Sequence, residues 1–209
     1  MNSVLEGIGK LRLVPVITIH RAEDAEPLAL ALLEGGLPCA EITFRTDAAE
    51  QAIKNIANIQ GMLVGAGTVL KVDQVKRAVD AGARFIVSPG LNPLVVEYCV
   101  NNDIPVMPGT STPTDIEIAL NFGLEVVKVF PAEALGGVPY LKAIATPYSM
   151  MKFMPSGGIN LTNVTDYLAL PQVLACGGSW MVKSDLIKDG KFEEITCLTR
   201  KAVEACTVV

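Results

Sequence analysis

Short apolar runs rich in Val and Ile alternate along the chain with stretches of helical hydrophobic spacing. The runs begin near Val14, Cys39, Leu63, Phe85, Pro105, Val126, Phe153 and Val173, at intervals of 25, 24, 22, 20, 21, 27 and 20 residues. That spacing holds one strand, one helix and two turns, repeated eight times. Near-continuous apolar strands alternating with helices predict a parallel sheet covered on its faces. Eight such units predict an α/β fold, a single (β/α)8 TIM-barrel domain over residues 1–209, with an extra N-terminal helix over residues 2–10.

Helix boundaries follow from local chemistry. Asp47 with Glu50 marks a start, and Ile53 and Ile56 follow on one face. Val72, Val75 and Val79 keep helical spacing before Ala81-Gly82. Asn92-Pro93 and Thr112-Pro113 each pair an N-cap with proline at the first helical position. Thr112 with Asp115 adds a capping-box pair. Gly35-Gly36, Gly82 and Gly123 sit where helices should stop. Phe192, Ile195, Leu198, Ala202 and Ala205 form the stripe of a last amphipathic helix.

Composition narrows the class. A chain of 209 residues, half of them hydrophobic, is long enough for one α/β barrel with a sizeable core. A net charge of −5 argues against nucleic acid or an anionic membrane as partner. The start Met-Asn-Ser-Val-Leu-Glu has neither a basic nor an apolar signal region, and no apolar run has the length of a membrane span. The five cysteines (39, 99, 176, 197, 206) form no Cys-x-x-Cys pair and suit reduced thiols, so a cytoplasmic location is expected. His20 is the only histidine, which removes His-paired nucleophiles and multi-His metal centres.

In such a fold the chemistry lies at the carboxyl ends of the strands. Strand six carries Lys128 within Val126-Val127-Lys128-Val129-Phe130-Pro131, and alternation puts Val126, Lys128 and Phe130 on one face. With both faces covered, the ammonium is withdrawn from water. Desolvation disfavours the charged amine and turns the lysine into a nucleophile. An edge-strand lysine with its head in solvent is the commoner arrangement. The polar residues at the other strand ends argue for the inward one. Alternation in strand two puts Glu41, Thr43 and Arg45 on one inward face, although a Glu–Arg pair satisfying itself within the strand has the same pattern.

Strand three ends Gly65-Ala66-Gly67-Thr68, where Thr68 offers a rim hydroxyl. Strands four and five end in Ser88-Pro89-Gly90 and Met107-Pro108-Gly109-Thr110. Strands seven and eight end in Ser156-Gly157-Gly158 and Gly177-Gly178-Ser179, whose free backbone N–H groups and hydroxyls suit a phosphate. No cluster of carboxylates or histidines is placed to hold a metal, and no cofactor is implied. A neutral amine adds to a ketone to form an imine, which draws electrons from the neighbouring carbon bond. Glu41 could move protons, and Arg45 could hold a carboxylate bidentately. Such a site makes or breaks a carbon–carbon bond beside a 2-keto acid.

The motifs Glu41-Ile-Thr-Phe-Arg45, Val64-Gly-Ala-Gly-Thr68, Ser88-Pro-Gly90, Lys128-Val-Phe-Pro-Ala-Glu133, Ser156-Gly-Gly-Ile159 and Gly177-Gly-Ser-Trp180 resemble the 2-keto-3-deoxy-6-phosphogluconate aldolases, also called 4-hydroxy-2-oxoglutarate aldolases. The resemblance runs through all eight units. It implies a metal-independent class I aldolase of the Entner–Doudoroff pathway, a homotrimer acting on keto-acid and phosphosugar substrates. It implies Lys128 as Schiff-base lysine and Glu41 as proton shuttle. Arg45, Thr68 and Pro89 would border the pyruvyl carboxylate, with Phe130 beside the imine. Ser156 would face the C4 hydroxyl, where many members carry threonine. Gly157, Gly158, Gly178 and Ser179 would take the phosphate.

Galactonate-specific relatives generally lack the arginine, which favours the gluconate branch. Two other readings stay open on residues alone: a sugar-phosphate isomerase or epimerase, and a non-catalytic phosphosugar-binding barrel.

Overall fold

The eighth-repeat pattern resolves into parallel strands, with the fifth run divided at a proline. In the computed structural model, which describes residues 2–207, the strands are β1 (Leu13–Ile17), β2 (Cys39–Thr43), β3 (Leu63–Gly67) and β4 (Ile86–Val87). The fifth run supplies β5 (Val106–Met107) and β6 (Gly109–Thr110), and β7 (Val126–Val129), β8 (Lys152–Pro155) and β9 (Cys176–Gly178) follow. Proline has no N–H to donate to a ladder, so Pro108 interrupts the run.

Helices alternate with these strands. The first, α1 (Ser3–Leu11), precedes β1, and α2 (Ala25–Glu34), α3 (Ala49–Ile56), α4 (Val72–Asp80) and α5 (Pro93–Asn101) come next. They are followed by α6 (Pro113–Asn121), α7 (Gly137–Ala145), α8 (Val164–Leu168), α9 (Ser184–Lys188) and α10 (Phe192–Thr207). The expected caps form: Asn92 accepts from the Leu94 N–H at 3.1 Å, and Thr112 and Asp115 bond each other's backbone N–H at 3.3 and 2.9 Å. Among the described residues no helix is long and apolar enough to cross a membrane.

Every strand pairing is parallel. One sheet runs β5-β4-β3-β2-β1-β9 and the other β6-β7-β8. Isolated bridges Phe153–Val173 and Ser156–Gly177 join the β8 and β9 runs. The curled sheet has two apolar layers. Val127 and Val129 belong to the outer one, packed under the helices. The inner one contains Val14, Cys39, Phe85, Val87, Met107, Val126 and Met154, with Leu5 and Ile8 of α1 closing it below. Because side chains alternate, the residues two places beyond Cys39, Val126 and Met154 lie on the same inner face, one layer nearer the carboxyl end. Those are Glu41, Lys128 and Ser156.

Two boundaries and one helix stripe stand out against the pattern. Helix α3 starts at Ala49 rather than Asp47, and its N-cap Ala48 makes no side-chain cap bond. Strand eight begins at Cys176, with Val173 contributing one bridge. In α10 the buried set is Ile195, Thr196, Thr199, Ala202 and Cys206, so the stripe is centred on small polar residues beside the predicted apolar ones.

Candidate active site

Lys128 and Glu41 face each other across the inner layer, Nζ 3.8 Å from Oε1, with 5% and 1% of their surfaces exposed. The backbone of Lys128 is held on both sides. Its N–H donates to the Pro108 carbonyl at 2.9 Å, and its carbonyl accepts from the Thr110 hydroxyl at 3.0 Å. The Phe130 ring lies 5.1 Å from Nζ, close enough for a cation–π contact. Glu41 Oε2 is buried and has no hydrogen-bond partner among the described residues. Burial pushes the Glu41 carboxyl up from its ordinary value, with Lys128 and Arg45 opposing the shift. A carboxyl held this way takes up a proton more readily than an ordinary one, which suits a group that must accept and return one.

Gly67 makes room for that carboxyl. A Cβ there would stand 2.7 Å from Glu41 Cγ and 2.8 Å from Cδ. Thr43, expected inward with Glu41, is fully buried and donates to the Ile17 carbonyl at 2.7 Å. Arg45 departs from the alternation expected of it. The chain turns after β2, the Arg45 N–H bonding the Thr43 carbonyl at 2.8 Å, so Arg45 is exposed rather than a third inward strand residue. Its guanidinium still reaches the mouth, where Nε donates to Thr68 Oγ1 at 3.2 Å. Thr68 holds φ at 55°, a strained value for a β-branched residue and one met mainly at functional sites.

A cavity of about 550 Å³ opens above Lys128, within the range of small-molecule sites. Its wall includes Arg45, Lys128, Phe130, Ser156, Gly157, Gly158, Gly178 and Ser179 from the predicted set. Glu41 lies beneath that surface, Thr68 meets it through Arg45, and Pro89 is not in the wall. Instead Pro89 packs its carbonyl against Gly109, where a Cβ would meet it. Val16, Thr18, Ile159, Val182, Lys183, Ser184 and Asp185 also line the cavity and were missed. Thr18 had a signal, because it lies two residues beyond Val16 past the end of β1. Ser184 had none: its hydroxyl reaches the Thr18 carbonyl at 3.0 Å across the fold.

The loop after β8 is built to present N–H groups. Gly157 and Gly158 hold φ at 93° and 87°, a region that favours glycine. The carbonyls of Ser156 and Gly157 accept from the Ala132 and Glu133 N–H groups at 2.8 and 3.1 Å. The Gly158 carbonyl accepts from the Asn160 and Asn163 side-chain amides at 3.2 and 3.1 Å. With three carbonyls tied back, the N–H groups of Gly158 and Ile159 bond no protein acceptor among the described residues. Consecutive free N–H groups in such a turn form an anion-binding nest. Among the described residues no three His, Cys, Asp or Glu side chains are grouped to hold a metal ion.

The family model described as KDPG and KHG aldolase matches residues 4–198. A 2-dehydro-3-deoxy-phosphogluconate aldolase of Treponema pallidum is 48% identical over 100% of both chains. A KHG/KDPG aldolase of Escherichia coli K12 is 45% identical over 91% of this chain and 90% of its own. The crystal structure of a Legionella pneumophila KDPG aldolase, with pyruvate captured as a covalent carbinolamine intermediate, superposes with a TM-score of 0.91 at 39% identity. It covers 95% of this chain and 97% of its own.

Proposed function

The chain belongs to the KDPG and KHG aldolase family, and on that premise we propose that Lys128 is the Schiff-base nucleophile of a metal-independent class I aldolase. The enzyme reversibly cleaves 2-keto-3-deoxy-6-phosphogluconate to pyruvate and glyceraldehyde 3-phosphate, and 4-hydroxy-2-oxoglutarate to pyruvate and glyoxylate. One observation carries the residue assignment: a 5% exposed lysine 3.8 Å from a 1% exposed glutamate, at the floor of an open cavity.

The neutral Lys128 amine adds to the C2 ketone, and the carbinolamine loses water to give an iminium. As the C3–C4 bond breaks, its electron pair moves into the iminium and leaves an enamine. Glu41 takes the C4 hydroxyl proton at that step and the aldehyde departs. The carboxyl then returns a proton to C3, and water releases pyruvate and the free lysine. Arg45, braced by Thr68, holds the 2-keto carboxylate, Phe130 shields the imine, and Ser156 faces the C4 hydroxyl. The Gly157, Gly158, Gly178 and Ser179 loops bind the phosphate through backbone N–H groups and the Ser179 hydroxyl.

We read the fold as one closed (β/α)8 barrel domain. The bridges from β8 to the β9 run and the single-residue break at Pro108 support closure. A cytoplasmic homotrimer follows from the family resemblance, and light scattering measures the trimer.

Borohydride reduction in the presence of pyruvate tests the nucleophile. One three-carbon adduct should appear on the Lys128 peptide. Label on Lys71 or Lys142, or no label, would end the Schiff-base assignment.

A further inference from the structure

A buried phenol ties helix α8, which follows the cradle loop, to the chain that continues from the lysine strand. Tyr167 of α8 is fully buried, and its hydroxyl donates to Glu133 Oε1. A phenylalanine would fill the same space, so the hydroxyl is there for the carboxylate. Burial first, then the Glu133 hydrogen bond, raise the phenol well above its ordinary value and keep it a donor.

Glu133 itself is exposed on the continuation of the β7 chain, five residues after Lys128. Its backbone N–H holds the Gly157 carbonyl at 3.1 Å. Its side chain lies over Gly158, where an added Cβ would stand 2.5 and 2.6 Å from Glu133 Cγ and Cβ. The carboxylate is turned toward Tyr167 and does not line the cavity.

We propose that Tyr167 and Glu133 are positioning residues that hold the Gly157–Gly158 cradle in register with the strand carrying Lys128. The inference rests on the phosphate assignment above. It makes affinity for the phosphate end depend on a hydrogen bond that touches neither substrate nor lysine. The imine chemistry of an unphosphorylated substrate does not depend on it.

The test is Tyr167→Phe assayed on both substrates, with inorganic phosphate as a competitive inhibitor. KM for the phosphorylated substrate and the phosphate inhibition constant should each rise about tenfold, and KM for 4-hydroxy-2-oxoglutarate less than about twofold. Glu133→Gln keeps an acceptor for the phenol and should behave like the parent enzyme. Glu133→Ala should behave like Tyr167→Phe, and it carries the test if Tyr167→Phe does not fold. Equal rises on the two substrates, or an unchanged phosphate inhibition constant, overturn the proposal. Ser179→Asp run in parallel separates the two levels. If Ser179→Asp discriminates between the substrates and Tyr167→Phe does not, only the positioning role falls. If neither discriminates, the phosphate assignment falls and the positioning role with it.

Discussion

Glu41 occupies the space that a side chain at Gly67 would fill, its Cγ 2.7 Å from the position of a Cβ there. The neighbouring strand therefore decides where the carboxyl sits relative to Lys128. Gly67→Ala should push Glu41 off its 3.8 Å approach and lower kcat by about 10²-fold, the cost of a misplacement near 1 Å. Gly65→Ala on the same strand is a control, because its Cβ meets the fully buried Phe85 ring, 2.5 Å from Cδ2. That overpacking should cost about 1–3 kcal/mol in chemical denaturation. A kcat for Gly67→Ala equal to the parent's would show that Glu41 finds another productive position.

Glu41→Gln keeps the shape of the side chain and removes its basic oxygen. Turnover should fall roughly 10²–10⁴-fold with the circular dichroism spectrum unchanged. Near-normal turnover would assign the proton transfers to water or another group.

The same variant reports on stability against pH. Burial holds the Glu41 carboxyl above its ordinary value of 4.5, against the pull of Lys128 and Arg45. Between 4.5 and the raised value the folded chain keeps a proton that the unfolded chain has lost. Stability from this group is thus full below 4.5 and drains away as pH rises through the raised value. In urea denaturation without substrate, the parent should lose ground to Glu41→Gln as pH rises from 4 to 8. A gap that stays constant across the series would contradict the buried, raised carboxyl.

Arg45 and Ser179 should fail in different ways. Arg45→Ala removes the carboxylate partner common to both substrates, so kcat/KM should fall on both by an amount worth about 1.5–3 kcal/mol. Ser179→Asp sets a negative charge against the phosphate and should cost roughly 2–4 kcal/mol on the phosphorylated substrate, with a smaller loss on 4-hydroxy-2-oxoglutarate. Equal losses for Ser179→Asp on the two substrates would move the phosphate elsewhere.

The strand-and-helix repeat, the caps at Asn92 and Thr112, and the shared inner face of Val126 and Lys128 were legible along the chain. Each depends on residues within a turn or two of one another, where spacing and side-chain chemistry act directly. Parity likewise put Glu41 on the correct face. The alternation itself ends before Arg45, at a hydrogen bond back to the Thr43 carbonyl, yet the Arg45 side chain still lines the cavity. The Gly-Ala-Gly of β3 carried little local meaning, since the need for Gly67 comes from Glu41 packing over it from β2. Lys183, Ser184 and Asp185 entered the cavity wall, and Tyr167 met Glu133, for the same reason. Which side chains meet across strands and loops depends on register, twist and helix packing over the whole sheet. Those are properties of many contacts at once, and no short stretch of residues encodes them.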